Sequence, residues 1–344
     1  MNGNVFWGRW GGVRLLVVAA VALLASAAAA QRPSTDRHVP ELSAWLDRAE
    51  IAEPVSYRGL SVYPVLLERD LSPRGRWLTL ADAISRGGLV VNEKGTGGSV
   101  PLVVVENRSR DEHVFIMSGE VIAGGKQTRV IRQDVIVAGG ERIDLGVFCV
   151  EAHRWEGNKS FSAGKALVPQ SIQQELRRGT DQHGVWAEVA RNNSALKAEN
   201  ASGSLELALK AAPVREKLAD VRRSIVPQMP RGTVGYIFVD RGRAMGAEFF
   251  GNEDFARELL PKLVDSYAVD CVILGRGDSA PEGRPDHRVA IDFFERVCRA
   301  GSERANTPGS GSGVRTRTSG LLGDGVGISG SLVHYGVQTG VRIV

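Results

Sequence analysis

The segment Ser118–Arg129, SGEVIAGGKQTR, gathers charged and amide side chains around a glycine pair. Glycine adopts positive φ readily, so Gly124-Gly125 permits a tight bend whose backbone approaches a ligand closely. The N–H groups of such a bend, with an ammonium and a guanidinium nearby, can hold a phosphate or a carboxylate. The candidate binding side chains here are Glu120, Lys126, Gln127 and Arg129. The alternative is a surface hairpin in which Glu120 pairs with Lys126 or Arg129, a contact that contributes little to stability.

The segment Phe148–Trp155, FCVEAHRW, is the second concentration of reactive side chains. If it continues as a strand, Cys149, Glu151 and His153 share one face, because side chains alternate. Such a row has donor types that bind metals. Since alternation aligns any three residues in this way, we favour a Glu151 that bonds to Arg154 or to backbone, and we predict no metal. Glu151, Arg154 and Trp155 are added to the candidate ligand-binding residues.

The segment Val234–Phe250, VGYIFVDRGRAMGAEFF, places the carboxylate of Glu248 inside an apolar strand. A buried charge is costly unless it is paired. We therefore hypothesise that Glu248 pairs with Lys126 or Arg129 and completes the same site.

The elements that must position these segments change character along the chain. Short β-branched runs separated by turns fill residues 89–151 and predict an antiparallel sandwich or an open barrel. Apolar residues at helical spacing predict central helices at 171–178, 185–196 and 205–221. Strands at 234–240 and 244–250 precede a helix over 253–264, which Pro261 should kink or divide, and a helix over 288–299. This order predicts an α+β fold with C-terminal strands packed against helices.

The predicted organisation has five parts. They are a signal peptide at 1–30, a linker with a short helix at 31–55, the α+β domain at 56–300, a flexible Gly/Ser-rich loop at 301–320, and a hairpin at 321–344 that closes the domain.

The first thirty residues predict export to the periplasm or the medium. Arg9 and Arg14 precede an apolar run from Leu15 to Ala25, and small residues end at Ala30, where we expect cleavage. The run is shorter than the roughly 20 residues that span a bilayer, so we expect no stable membrane insertion after cleavage. Removing this segment lowers the formal net charge from +4 to +2. That balance, without any run of Lys and Arg, argues against nucleic acid as a partner.

The usual catalytic signatures are absent from the sequence. It has no GxSxG, HExxH, phosphate-loop or dinucleotide fingerprint, so the sequence leaves both enzymatic activity and any cofactor unknown. Three cysteines lie outside zinc spacings, and in an oxidising compartment Cys271 and Cys298 are the more plausible disulfide pair.

Three blocks of the sequence resemble the ARG and rhodanese-phosphatase-superfamily-associated protein domain, the ARPP family. They are SGEVIAGGKQTR, FCVEAHRW and VGYIFVDRGRAMGAEFFGNEDFARELLPKLVDSYAVD, and the resemblance extends over roughly residues 56–300. It implies a theme of ADP-ribose or nucleotide metabolism, by association of neighbouring proteins alone. The positions that it carries over are Glu120, Lys126, Gln127, Arg129, Glu151, Arg154, Trp155, Glu248 and Lys262.

Three functions are compatible with these residues. The first is a binding module for a small anionic ligand, phosphate-bearing or nucleotide-like. The second is a structural or interaction protein of the cell envelope, in which the charged blocks stabilise the fold. The third is a hydrolase of phosphoester or ADP-ribosyl bonds, with Glu120, Glu151 or Glu248 as acid or base and with Lys126 and Arg129 stabilising charge.

Overall fold

Antiparallel sheets form most of the fold in the computed structural model, which describes residues 33–95, 98–99, 101–273 and 286–340. For residues 271–273 only the backbone is described. The expected signal peptide, the side chain of Cys271 and the last four residues of the expected closing hairpin thus lie outside the described residues. Within the described ranges, no helix is both long enough and apolar enough to cross a membrane.

The described ranges contain eighteen strands. In chain order they are β1 (Ala49–Ile51), β2 (Val55–Tyr57), β3 (Leu60–Leu67), β4 (Arg76–Thr79), β5 (Leu89–Glu93), β6 (Leu102–Asn107), β7 (Glu112–Ile116), β8 (Glu120–Gly124), β9 (Arg129–Ile131), β10 (Val135–Val137), β11 (Arg142–Cys149), β12 (Ser160–Leu167), β13 (Thr233–Asp240), β14 (Arg243–Phe250), β15 (Glu303–Ala305), β16 (Ser312–Arg317), β17 (Leu321–Ile328) and β18 (Ser331–Thr339).

The helices follow the strand blocks and cover their faces. They are α1 (Pro40–Leu46), α2 (Leu80–Ser85), α3 (Gln170–Arg178), α4 (Gln182–Ala195), α5 (Leu205–Lys210), α6 (Ala212–Ile225), α7 (Glu253–Ile273) and α8 (His287–Ala300), with a 3-10 turn at Val226–Gln228. Together with the sheets they confirm the predicted α+β class.

A nine-stranded sheet in the order β1-β3-β13-β14-β18-β17-β16-β15, with β2 paired to β3, carries the C-terminal part of the fold. Successive residues of β13 point to opposite faces, as in any strand. Phe238 packs with Leu263 of α7 on one face, whereas Ile237 packs with Trp45 of α1 and Phe293 of α8 on the other. The sheet is therefore buried on both faces, which explains its long apolar strands.

Five strands of the block at 89–151 close with β12 into a barrel in the order β11-β6-β5-β12-β8-β9, whereas β7 and β10 of that block form a three-stranded sheet with β4. All neighbouring pairs in the barrel are antiparallel. Val91, Val103, Val105 and Leu145 are among the buried residues that fill its core. The expected open barrel or sandwich is thus a closed barrel, because β12, which lies beyond the predicted block, bridges β5 and β8.

Residues 301–320 do not form the predicted flexible loop, since they contain β15 and β16 of the large sheet. Two of their glycines are required by close packing, because a Cβ would lie 2.1 Å from Ile136 O at Gly309 and 2.4 Å from Gly327 O at Gly311. The hydroxyl of Tyr335, on β18, donates to Thr316 Oγ1 on β16 at 2.7 Å. A Cβ at Gly323, on the neighbouring strand, would lie 2.4 Å from the Tyr335 hydroxyl. Strands β17 and β18 pair as an antiparallel hairpin within the range of the predicted closing hairpin.

The structure corrects two further predictions, one about the N-terminal linker and one about the helix that contains Pro261. Residues 34–55 are part of the compact unit and not a linker, because Trp45 is fully buried and donates to Phe250 O at 2.8 Å.

Helix α7 runs through Pro261 as one element. Proline inside a helix costs about 3 kcal/mol, but Leu259, Leu260 and Leu263 are anchored in the core on both sides of it.

Candidate functional site

The Gly124-Gly125 bend joins β8 to the loop before β9, and both glycines have positive φ, at 108° and 53°. A Cβ on Gly125 would lie 2.2 Å from the ring of Phe161 and 2.8 Å from Glu93 Oε1. Only glycine fits this position without displacing its neighbours. The bend brings the backbone N–H of Lys126 to Glu93 Oε1, at 2.8 Å.

Arg129, at the start of β9, is wholly buried, with no exposed side-chain surface. Its Nη1 donates to Gln127 Oε1 at 2.8 Å and to Cys149 Sγ at 2.6 Å. Its Nη2 lies 3.6 Å from Glu93 Oε1, beyond hydrogen-bond reach of that carboxylate. Among the residues that the structure describes, neither Nε nor Nη2 has a hydrogen-bond partner. Buried polar groups are nearly always satisfied, so these two unused donors are the unusual feature of this guanidinium.

Glu151 and Arg154 form the compact ion pair that the sequence favoured over a metal site. Arg154 donates to Glu151 Oε2 from Nε at 2.9 Å and from Nη2 at 2.7 Å. Thr128 donates to the same oxygen from its backbone N–H at 3.0 Å. Burial alone would raise the pKa of Glu151, but these hydrogen bonds outweigh burial and lower it. Glu151 is therefore fixed in its charged form.

Trp155 covers this group of residues and remains 46% exposed. Lys126 Nζ lies 5.3 Å and Arg129 Cζ 5.6 Å from the centre of its indole ring, both within cation–π range. We call this group the Trp155 cluster. Its members are Glu93, Lys126, Gln127, Arg129, Glu151, Arg154 and Trp155.

The remaining two predicted site residues lie elsewhere. Glu120 accepts from Lys262 Nζ at 2.7 Å and from Met117 N at 3.1 Å, so it connects β8 to α7. The alternative interpretation, in which Glu120 pairs with Lys126 or Arg129, is therefore wrong. The hypothesis that Glu248 pairs with Lys126 or Arg129 is also wrong, because Glu248 lies on β14 of the large sheet and contacts His334 and Tyr267.

Glu248 belongs instead to a buried network that the sequence did not reveal. His334 on β18 contacts Asp134 Oδ2 through Nδ1 at 2.6 Å and Glu248 Oε2 through Nε2 at 3.2 Å. Tyr267 donates to Glu248 Oε1 at 3.0 Å, and Arg177 Nη2 lies 3.7 Å from that oxygen. We call these five residues the His334 network.

The environment of His334 holds it as an imidazolium. Burial alone would lower the pKa of His334, but Asp134 and Glu248 outweigh burial and raise it to about 9. Phe115 and Phe250 flank the ring. The network connects the loop before β10, two strands of the large sheet and two helices. Its geometry is that of a buried polar network that stabilises the packing of these elements.

The row of Cys149, Glu151 and His153 that would supply metal donors does not lie on one strand. Strand β11 ends at Cys149, so the alternation that would align Glu151 and His153 stops there. Within the described part of the chain, no three His, Cys, Asp or Glu side chains form a metal-binding group. Burial raises the pKa of the Cys149 thiol to about 11. Cys298 is buried with a free thiol, and the side chain of Cys271, its expected disulfide partner, lies outside the described residues.

These features define an α+β protein in which a closed barrel and a large antiparallel sheet are joined by buried charged groups. The family model of the ARG and Rhodanese-Phosphatase-superfamily-associated Protein domain matches residues 48–337, and the chain belongs to this family. Comparison with curated proteins and with solved structures finds no match.

Proposed function

We propose that this chain is an exported protein that binds a small anionic ligand, phosphate-bearing or nucleotide-like, at the Trp155 cluster. The observation that carries the proposal is Arg129, whose Nε and Nη2 donors are buried and have no hydrogen-bond partner in the described part of the chain. An oxyanion is the group that a guanidinium binds best, because two parallel N–H groups match its oxygens.

The charge of the cluster favours an anion. Lys126, Arg129 and Arg154 supply three positive charges, against the two carboxylates of Glu93 and Glu151. Glu151 is engaged by Arg154, and Glu93 forms a buried ion pair with Arg129, whose 3.6 Å separation is too long for a hydrogen bond. The charges of the cluster therefore sum to one positive charge in excess.

The half-exposed indole of Trp155 supports a ligand that also has a planar part. A base stacked on an aromatic ring contributes about 1–3 kcal/mol without requiring a particular sequence of donors. A nucleotide-like ligand combines such a ring with phosphate oxygens. It would place the ring on Trp155 and the anionic group near Lys126 and Arg129.

Binding is favoured over hydrolysis by the positions of the predicted acids. A hydrolase would need Glu120, Glu151 or Glu248 within reach of the cationic pair. Glu120 is bonded to Lys262, Glu248 lies in the His334 network, and Glu151 is held by Arg154 and Thr128. None of the three is disposed to exchange a proton with a ligand at Lys126.

The binding proposal is tested by calorimetric titration of the protein with inorganic phosphate, pyrophosphate, ADP and ADP-ribose. We expect at least one of them to bind, and Lys126→Ala and Trp155→Ala each to weaken that binding by roughly tenfold, the equivalent of about 1.4 kcal/mol. Arg86→Ala, which removes an exposed cation just after α2, is the matched control and should bind as the wild type does. Absence of binding by all four probes at millimolar concentration would remove the proposal.

Export rests on the residues from Arg9 to Ala30 and has its own test. Expression of the full chain in a Gram-negative host should yield a periplasmic or secreted protein whose N-terminal sequence begins at Gln31. An unprocessed chain that stays in the cytoplasm would contradict it.

A further inference from the structure

A groove of about 230 Å³ lies where β12 of the barrel meets helices α5, α6 and α7. Its floor is apolar and consists of Val121, Ala166, Leu167, Leu209, Leu218 and Val269. No member of the Trp155 cluster or of the His334 network lines it. An apolar cavity of about 150 Å³ accommodates benzene. The groove therefore has room for a substituted ring or a short hydrocarbon chain.

The rim of this groove carries an excess of positive charge. Its charged side chains are Lys165, Glu206, Lys210, Arg215, Arg222 and Asp265. Lys210 and Arg222 each pair with one of the two acids. In the part of the chain that the structure describes, neither Lys165 nor Arg215 forms an ion pair. Two uncompensated cations thus stand beside an apolar floor.

An irregularity in β12 places Lys165 at the groove. Ala163 pairs with Ile122 and Leu167 with Glu120, so three residues of β12 stand opposite a single residue of β8. Gly164 makes this bulge possible, because a Cβ there would lie 2.4 Å from Val121 O. Bulges are concentrated beside functional sites, where they redirect a side chain.

One oxygen of the groove also has no hydrogen-bond partner. Asp265 Oδ1 is buried and accepts no hydrogen bond from any residue that the structure describes, although the carboxylate pairs with Arg222. If Asp265 determined the ligand, an amine would be preferred. Because Arg222 already compensates Asp265, the uncompensated charges are those of Lys165 and Arg215, and they favour an anion.

We propose that this groove binds a small amphiphilic carboxylate, with its apolar body on the floor and its carboxylate between Lys165 and Arg215. Lysine and arginine are suited to such a head group, and burial of the body supplies most of the affinity. This site is separate from the Trp155 cluster and does not depend on the function proposed for that cluster.

The test is a calorimetric titration with hexanoate, octanoate and phenylacetate, alongside octanol and octylamine as neutral and cationic analogues. We expect the carboxylates to bind and each added methylene to tighten binding by about fourfold, which corresponds to about 0.8 kcal/mol. The double variant Lys165→Ala/Arg215→Ala should weaken octanoate binding by at least roughly tenfold.

Two control variants separate binding in this groove from a general effect of surface charge and from binding at the Trp155 cluster. Arg223→Ala removes an exposed cation from the same helix as Arg215, and Lys126→Ala alters the Trp155 cluster; both should bind octanoate as the wild type does. Preference for octylamine, absence of carboxylate binding at millimolar concentration, or unchanged octanoate affinity in the double variant would each overturn the proposal.

Discussion

Replacing His334 with glutamine should lower the free energy of unfolding by about 3 kcal/mol at pH 6.5 and by much less near pH 9. In the wild type, the imidazolium lies between Asp134 and Glu248, and all three side chains are almost fully buried. Glutamine cannot carry the positive charge, so two carboxylates would remain in the interior with less compensation.

The pH dependence follows from the raised pKa of His334, about 9 in the fold against 6.5 for an ordinary histidine. A group whose pKa is raised by folding contributes stability that is complete below its unfolded pKa. That contribution is lost as the pH rises through the folded pKa. Besides Asp134 and Glu248, the charged or titratable groups behind the ring are Arg177 and Tyr267.

The measurement is urea denaturation of wild type and variant at several pH values from 6.5 to about 9. His153→Gln, the same substitution at an exposed position, is the matched control and should change stability little at any pH. Two raised carboxyl pKa values, about 6 for Asp265 and about 7 for Asp270, affect wild type and variant alike and cancel in the difference. A difference that stays constant across this range would contradict the charged state assigned to His334.

Replacing Arg129 with methionine should lower the free energy of unfolding by about 3 kcal/mol or more, because removing one partner of a buried ion pair leaves the other uncompensated. The remaining partner is Glu93, which is 6% exposed and whose Oε2 accepts no hydrogen bond. The substitution also deprives Gln127 and Cys149 of a donor.

A double-mutant cycle with Glu93→Gln identifies the cause. If the loss comes from the uncompensated carboxylate, the double variant should recover part of it, with an interaction energy of about 0.5–3 kcal/mol. Arg142→Met, an exposed position on β11 of the same barrel, is the control and should change stability little. Additive effects, or a loss below about 1 kcal/mol for Arg129→Met, would show that Arg129 and Glu93 are not coupled.

Most of the Trp155 cluster could be predicted from the sequence because local strand pairing assembles it. Arg129 and Cys149 are directly opposite each other on β9 and β11, so the residues just before one strand meet those just after the other. Glu93 was missed, although an acid ending the apolar strand LVVNE is a recognisable signal of a buried carboxylate that needs a partner.

The His334 network shows what the sequence could not supply. The apolar surroundings of Glu248 indicate that it needs a partner, but the partner depends on how β14 pairs with β18, which places Phe250 opposite His334. That pairing joins segments more than eighty residues apart. His334 itself lies in the apolar run LVHYG, and the cost of burying an unpaired polar group there also indicates a histidine that needs a partner.

The binding proposal is tested most directly at the side chain that motivates it. In ¹H–¹⁵N spectra of arginine-labelled protein, the Nε–H resonance of Arg129 can be assigned by its absence from Arg129→Lys. We predict that this resonance shifts saturably when pyrophosphate or ADP is added, and that Lys126→Ala needs roughly tenfold more ligand for the same shift. Two results would contradict an anion site at the Trp155 cluster. In the first, the Arg129 Nε–H resonance stays in place although the protein is saturated with pyrophosphate or ADP. In the second, the resonance responds to neither ligand.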